Sequence, residues 1–277
     1  MYPVGISCGA PICEELFQQL REGGIERIEV SLRLDPSLAL DFEELKRLSL
    51  AYGVELWSFH LPFSPFAQID PSRPDLTEDT LALHKLLIQR GTAVGITRYV
   101  VHASGEPIAD DERSARMDCA KRNLAALAAF AAERGAVVAV EDLPRTCLGR
   151  NSEEILELLD AHPALRVCLD TNHLLSESLT DFIGRVGDKI ITTHVSDYDF
   201  VDERHWLPGE GLVDWPAVVE ALKKANYQGA WIYELGLKCP KTLSRERDLE
   251  YADFGRNAAE IFEGRPITKL GTPLPKE

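Results

Sequence analysis

The sequence predicts a single α/β domain, a (β/α)8 barrel of parallel strands, and three observations carry that reading. Eight short apolar segments each precede a stretch of helical periodicity, in units of roughly 25 to 40 residues without a compositional break. The 277 residues suit one such barrel, for which about 250 is typical, followed by a short tail. The last four apolar segments are nearly continuous in hydrophobicity, as parallel strands buried on both faces are. A doubly wound sheet would carry a GxGxxG turn after its first strand; residues 5–9, GISCG, hold none.

Taken in order, residues 4–7 read as the first strand and residues 11–22 as a helix stopped at Gly23 and Gly24. IERIEV (25–30) is the second strand, with Glu29 near its end, and a helix follows over 42–52, stopped by Gly53. VELWSFH (54–60) is the third strand. Residues 61–74 are Pro-rich and aperiodic, so they read as a long loop that carries Phe63 and Phe66 and is a candidate lid. A helix begins at Thr77, with Glu78 and Asp79 in the turn where the helix dipole favours acids, and runs to 94. YVVH (99–102) is the fourth strand, and an Ala-rich helix covers 111–134 before Gly135. VVAVE (137–141) is the fifth strand, with a helix capped by Asn151 or Ser152 running to 160. LRVCLD (165–170) is the sixth strand and 178–186 its helix. IITTH (190–194) is the seventh, with a helix over 215–225, and GAWIYE (229–234) is the eighth. The last helix is expected over 244–262. The barrel domain then spans 1–264, and residues 265–277 form a Pro-containing tail.

Six of the eight strands end in an ionisable side chain: His60, His102, Glu141, Asp170, His194 and Glu234. In a barrel every strand C-terminus opens on one face, the face on which active sites are built. His173 lies just past Asp170, and His205 lies in the acidic loop after the seventh strand. Five of the seven histidines therefore fall at this face. His84 and His162, in a helix and a loop, are assigned surface roles. A lone strand-end histidine is usually a hydrogen-bonded structural residue, and a lone carboxylate can be neutralised by arginine. Three carboxylates and several imidazoles converging at one buried end need a cation among them. A divalent metal ion is the expected cofactor. Glu29 reads as a structural acid beside this set.

The formal net charge of −15 argues against a grip on nucleic acid or an anionic membrane, since both depend on Lys and Arg meeting phosphate. Six cysteines are scattered without a CxxC pair, which fits reduced thiols. MYPVGISCGAP does not resemble a signal peptide, and no apolar run approaches the roughly 18 to 20 residues of a membrane span. A cytoplasmic protein without membrane or nucleic-acid partners is expected; a homo-oligomer is left open.

The polar strand ends sit in recognisable surroundings: SFHLPF around His60, VVHASGEP around His102, AVEDLP around Glu141 and CLDTNH from Asp170 to His173. THVSD around His194, ERHWLPGEG around His205 and IYELG around Glu234 complete the series. Together they resemble the xylose isomerase-like TIM barrel superfamily of sugar isomerases and epimerases, which also contains metal-dependent apurinic-site endonucleases. The series runs in family order over nearly the whole chain. The resemblance implies Glu141, Asp170, His194 and Glu234 as four metal ligands and His173 as a substrate contact. His60, His102, His173, Glu203 and His205 match positions that complete a three-zinc cluster in the endonuclease branch, although Glu203 stands where that branch has aspartate. They are expected to bind substrate or additional metal.

The activity implied is isomerisation or epimerisation of a sugar or polyol. Glu141 and Glu234 would exchange a proton beside a carbonyl through an enediolate, and His173, aided by His102, would steady the oxyanion. Three rivals remain: dehydration of an inosose-like polyol, zinc-dependent phosphodiester hydrolysis, and carbohydrate or metal binding without catalysis. Arg145 and Lys238, in the loops after the fifth and eighth strands, are the cations placed to meet an anionic group on the substrate. A mixed carboxylate and histidine set suits Mn, Co, Mg, Fe or Zn.

Overall fold

Eight strands close a barrel in sequence order in the computed structural model, which describes residues 1–63 and 68–275. They are β1 (Val4–Cys8), β2 (Arg27–Val30), β3 (Glu55–His60), β4 (Arg98–Val101), β5 (Val137–Glu141), β6 (Arg166–Asp170), β7 (Ile190–Val195) and β8 (Trp231–Tyr233). All neighbours pair in parallel, and β8 returns onto β1. The outer layer is α1 (Glu14–Glu22), α2 (Leu34–Ala39), α3 (Phe42–Tyr52), α4 (Thr77–Ala93), α5 (Arg113–Ala132), α6 (Ser152–Leu159), α7 (Leu179–Val186), α8 (Trp215–Lys224) and α9 (Tyr251–Phe262). The α/β barrel expected from the sequence is the observed fold.

Local chemistry explains where the helices begin and stop. Asp41 accepts the backbone N–H groups of Glu43 and Glu44 at the start of α3, and Gly53, at φ 65°, ends it. Asn151, Ser178 and Asp214 cap α6, α7 and α8 in the same way. Alternation along the strands then sorts the two layers. Val138 and Val140 of β5 join the large apolar cluster shared with the helices, so Ala139 and Glu141 point into the barrel. Ala139, Val100 and Cys168 form one interior layer; Trp57, Ala230 and Ile232 form another.

Two register slips fit the wide side chains inside. Between Ile28/Leu56 and Glu29/Ser58 the β2–β3 ladder skips Trp57, and between Val167/Ile190 and Cys168/Thr192 the β6–β7 ladder skips Ile191. Trp57 donates its Nε1–H to Thr192 Oγ1 at 3.0 Å. Beyond the second slip, Asp170 and His194 stand directly opposite each other.

Four local expectations are corrected. Helix α2 was not expected; its Pro36 lies in the first turn, where proline costs no hydrogen bond. The last helix starts at Tyr251, not 244, because Glu250 and Asp253 form a capping box there. The residues before it form β9 (Leu243–Arg245), which pairs antiparallel with β10 (Gly271–Pro273) from the expected tail. His84 is buried instead of at the surface: its face of α4 turns toward the loop after β3, and Nε2 lies 3.0 Å from the Pro62 carbonyl. No described helix is long and apolar enough to cross a membrane.

Candidate metal centre

At the C-terminal mouth of the barrel, β5, β6, β7 and the residue after β8 deliver Glu141, Asp170, His194 and Glu234 to one point. One donor atom from each of the four lies within 4.8 Å of the others. His194 sits at the middle. Its Nδ1 is 3.2 Å from Glu141 Oε1, 3.4 Å from Glu234 Oε2 and 3.9 Å from Asp170 Oδ2. Its Nε2 lies 2.7 Å from Glu29 Oε1, and Glu29 is itself held by the hydroxyls of Ser7 and Ser58. Glu29 is fully buried and accepts the Nε2–H, which leaves Nδ1 as the nitrogen aimed at the cluster.

Further imidazoles surround the same point. His60 and His102 bring Nε2 to 3.0 and 3.2 Å from Glu141 Oε2, on the opposite carboxylate oxygen from His194. The His60 Nδ1 faces the Leu61 carbonyl, and Phe63 stacks on His102 with centroids 3.7 Å apart. His173 places Nδ1 2.8 Å from the Asp142 carbonyl and Nε2 3.1 Å from Glu203 Oε1. His205, at φ 49°, turns Nδ1 to the Glu234 carbonyl at 3.0 Å, which joins its loop to the end of β8.

The electrostatics are those of an acid cluster short of positive charge. Burial pushes the Asp170 carboxyl well above its ordinary range; His173 opposes this, while Glu234 and Glu141 add to it. Its Oδ1 accepts the Asn172 N–H, but its buried Oδ2 has no hydrogen-bond partner. Burial also raises Glu141, yet His194 and His102 outweigh it and hold that carboxyl well below the usual range. Burial lowers the His194 and His173 imidazoles; Cys168, Glu234, Glu29 and Glu141 around the first, and Asp170, Glu203 and Glu141 around the second, leave both well above the usual histidine value. An unpartnered buried carboxylate oxygen beside three further O and N donors fits a divalent cation, and the mixed set suits Mn, Co, Fe, Mg or Zn.

Above this cluster opens a cavity of about 710 Å³, lined by Glu141, His102, His173, Glu203, His205 and Glu234 and walled by Phe63, Ile69, Leu143 and Tyr251. Arg145 is the one Lys or Arg lining it among the described residues. Its guanidinium is committed to Glu106, Asp202 and Glu203. Lys238 is exposed and lies outside the lining, so it does not serve as the expected anion contact. Of the expected lid, Phe63 lines the cavity, whereas Phe66 lies outside the described residues. The following residues are tied down: Asp70 accepts Gly105 N–H and pairs with Arg116 at 2.7 Å.

Asp142 was not singled out in the sequence. Its Oδ1 accepts the Asp170 N–H at 2.7 Å, and burial pushes its pKa up to about 8. The available signal was a second acid directly after a strand-end glutamate. Asp197, in the loop after β7, does not face the cluster. It accepts from the N–H groups of Tyr198, Gly209 and Val213 and from the Trp215 indole, so it organises the loop from within. A side chain at Gly211 would strike Asp197 Oδ1 at 2.2 Å, which explains the glycine there.

A profile of the family described as "Xylose isomerase-like TIM barrel" matches residues 17–252. Over 126 residues the chain is 30% identical to D-psicose 3-epimerase of Enterocloster bolteae, covering 42% of this chain and 38% of that protein. Over 104 residues it is 31% identical to protein y4fM of Sinorhizobium fredii, covering 35% and 32%. The matched segments thus span less than two fifths of these curated relatives' own length. Among solved structures, a D-tagatose 3-epimerase-like protein superposes with a TM-score of 0.81 at 21% identity, covering 95% of this chain and 97% of that one. D-psicose 3-epimerase of Clostridium cellulolyticum H10 superposes with a TM-score of 0.72 at 19% identity, covering 87% of each chain. At these identities the structural likeness is one of fold.

Proposed function

The chain belongs to the xylose isomerase-like TIM barrel family, and we propose that it is a divalent-metal-dependent epimerase or isomerase of an uncharged sugar or polyol. One observation carries this reading: Glu141, Asp170, His194 and Glu234 converge beneath a cavity large enough for a monosaccharide, and Glu141 and Glu234 line it. These four residues would hold the ion, which when bound supplies Lewis acidity toward a carbonyl and its neighbouring hydroxyl. Glu141 and Glu234 flank Asp170 and His194 around the barrel, and their carboxylates are the groups placed to handle a proton, with Glu141 Oε2 shared with His60 and His102. One takes the proton from the carbon beside the carbonyl, and the other, entering the step protonated, gives its own proton to the enediolate. His173 lines the cavity with its ring fixed by the Asp142 carbonyl and Glu203, and steadies the developing oxyanion from the wall. Phe63, Ile69 and Leu143 give the cavity its apolar wall.

The charge at the mouth selects against phosphorylated substrates. The lining cation, Arg145, is neutralised by Glu106, Asp202 and Glu203, which leaves the rim acidic. The test is incubation of the metal-loaded protein in deuterium oxide with a panel of free ketoses and inososes. The reading expects deuterium beside the carbonyl and an epimeric or aldose product. Loss of water from an inosose would redirect it to the dehydratase outcome, which shares the first proton abstraction. Absence of exchange from every compound would overturn it.

A second reading rests on an observation of its own. His60 and His102 crowd Glu141 Oε2 while His194 faces Oε1, and His60, Glu141 and His194 form a second set of clustered donors. A carboxylate shared in this way suits a site with more than one ion, as in phosphodiester hydrolysis. The acidic rim and the net charge of −15 oppose a polyanionic substrate. Cleavage of an abasic duplex in moderate salt would favour this second reading.

A further inference from the structure

We propose that Arg145 is a positioning residue of the proton-transfer site, acting on His173 through Glu203. This rests on the reading of His173 as a group that touches substrate.

Three loops meet at the Arg145 guanidinium. Glu106, after β4, accepts from Nε through both carboxylate oxygens at 3.0 and 3.1 Å. From the loop after β7, Asp202 Oδ1 and Glu203 Oε2 share Nη1 at 3.0 and 3.1 Å. Arg145 itself comes from the loop after β5 and adopts φ 52°, a left-handed conformation uncommon for a long side chain. The strain is sustained where surrounding contacts over-determine the backbone, and three carboxylates on one fork supply such contacts.

The consequence for His173 follows from the two oxygens of Glu203. Oε2 is taken by Arg145, and Oε1 lies 3.1 Å from His173 Nε2. The other ring nitrogen is fixed by the Asp142 carbonyl at 2.8 Å. Both partners of the imidazole are acceptors, so its rotation is set at both ends, and one of those ends is only as rigid as Glu203. Glu203 is partly exposed on a loop that reaches the cavity with no other described side-chain cation on its carboxylate besides His173 and Arg145. Removing the guanidinium frees Glu203 to swing into solvent, and the imidazole plane loses its outer anchor. A planar fork makes this clasp; a lysine ammonium at the same position reaches one carboxylate at a time.

The test is a double-mutant cycle with Arg145→Met, Arg145→Lys, His173→Gln and the Arg145→Met/His173→Gln pair, read as kcat and KM for the exchanged sugar. Action through His173 predicts that Arg145→Met lowers kcat about 10- to 30-fold with KM changed less than about threefold, that Arg145→Lys restores part of the loss, and that Arg145→Met adds less than about twofold in the His173→Gln background. Multiplying losses in the double variant, or a loss confined to KM, overturns the proposal. A second measurement needs no turnover and separates this proposal from the epimerase reading: 15N-labelled imidazole NMR of the same proteins without metal. The His173 Nε2–H resonance, held by Glu203 in the parent chain, should broaden into solvent exchange in Arg145→Met. Its persistence unchanged in that variant contradicts the clasp, whatever the protein's substrate is.

Discussion

The candidate site has two halves built by different physics. The inner half is carried by strands: Glu141, Asp170 and His194 are almost wholly buried, and the barrel ladder fixes where each one points. The outer half is carried by loops: Arg145, Asp202, Glu203 and His205 are partly exposed, and two of them, Arg145 and His205, have positive φ. In the inner half, position comes from hydrogen-bond register, which single substitutions do not move. In the outer half it comes from a few charge-assisted contacts between segments distant in sequence. Chemistry is expected to depend on the first half, and substrate fit and orientation on the second.

The sharpest break between them is Glu141→Gln, which keeps the shape and removes the proton acceptor. Solvent-deuterium exchange should fall by about 10³-fold or more while the fold is retained. Exchange at the parent rate would show that the inner half does not perform the chemistry.

A second break lies beneath the loop after β3 and is read as stability. Burial holds the His84 imidazole at about 4, below its ordinary 6.5, despite the hydrogen bond to Pro62. Between those values the unfolded chain binds the proton and the folded one does not, so unfolding gains as pH falls. The stabilisation is complete above pH 6.5 and drains toward pH 4, by up to roughly 3 kcal/mol. His84→Gln keeps a donor for Pro62 and removes the titration. Urea unfolding at pH 7 and pH 4.5 should show a smaller difference for this variant than for the parent, and equal differences would discount His84.

The strand-borne half was legible because alternation and strand ends are local patterns. Once eight strands were read from apolar runs, His60, Glu141, Asp170 and His194 had to share one face. The outer half was less legible. Nothing near Arg145 in the sequence marks Glu106, 39 residues earlier, as its partner. The burial of His84 was missed for a similar reason, since its partner Pro62 sits 22 residues away on a loop. The antiparallel pair of β9 and β10 escaped because its strands are three residues each, separated by a whole helix.

Two smaller perturbations sharpen the contrast. Glu29→Gln leaves every proposed ligand in place but weakens the hold on His194 Nε2, so divalent-ion affinity measured by calorimetry should fall about 10- to 100-fold. An unchanged affinity would mean that the barrel alone orients His194. His205→Ala, in the outer half, should leave ion affinity unchanged and raise the sugar KM several-fold, by about 1 kcal/mol for one lost hydrogen bond. Loss of the ion in that variant would place His205 in the inner half instead.

The central claim, that Glu141, Asp170, His194 and Glu234 at the strand ends form a metal centre, is tested most directly by elemental analysis of dialysed parent protein beside Asp170→Asn. The account predicts about one divalent ion per chain in the parent and a large loss in the variant, with circular dichroism unchanged. A parent chain that retains no ion after loading, or an Asp170→Asn chain that retains as much, would contradict it.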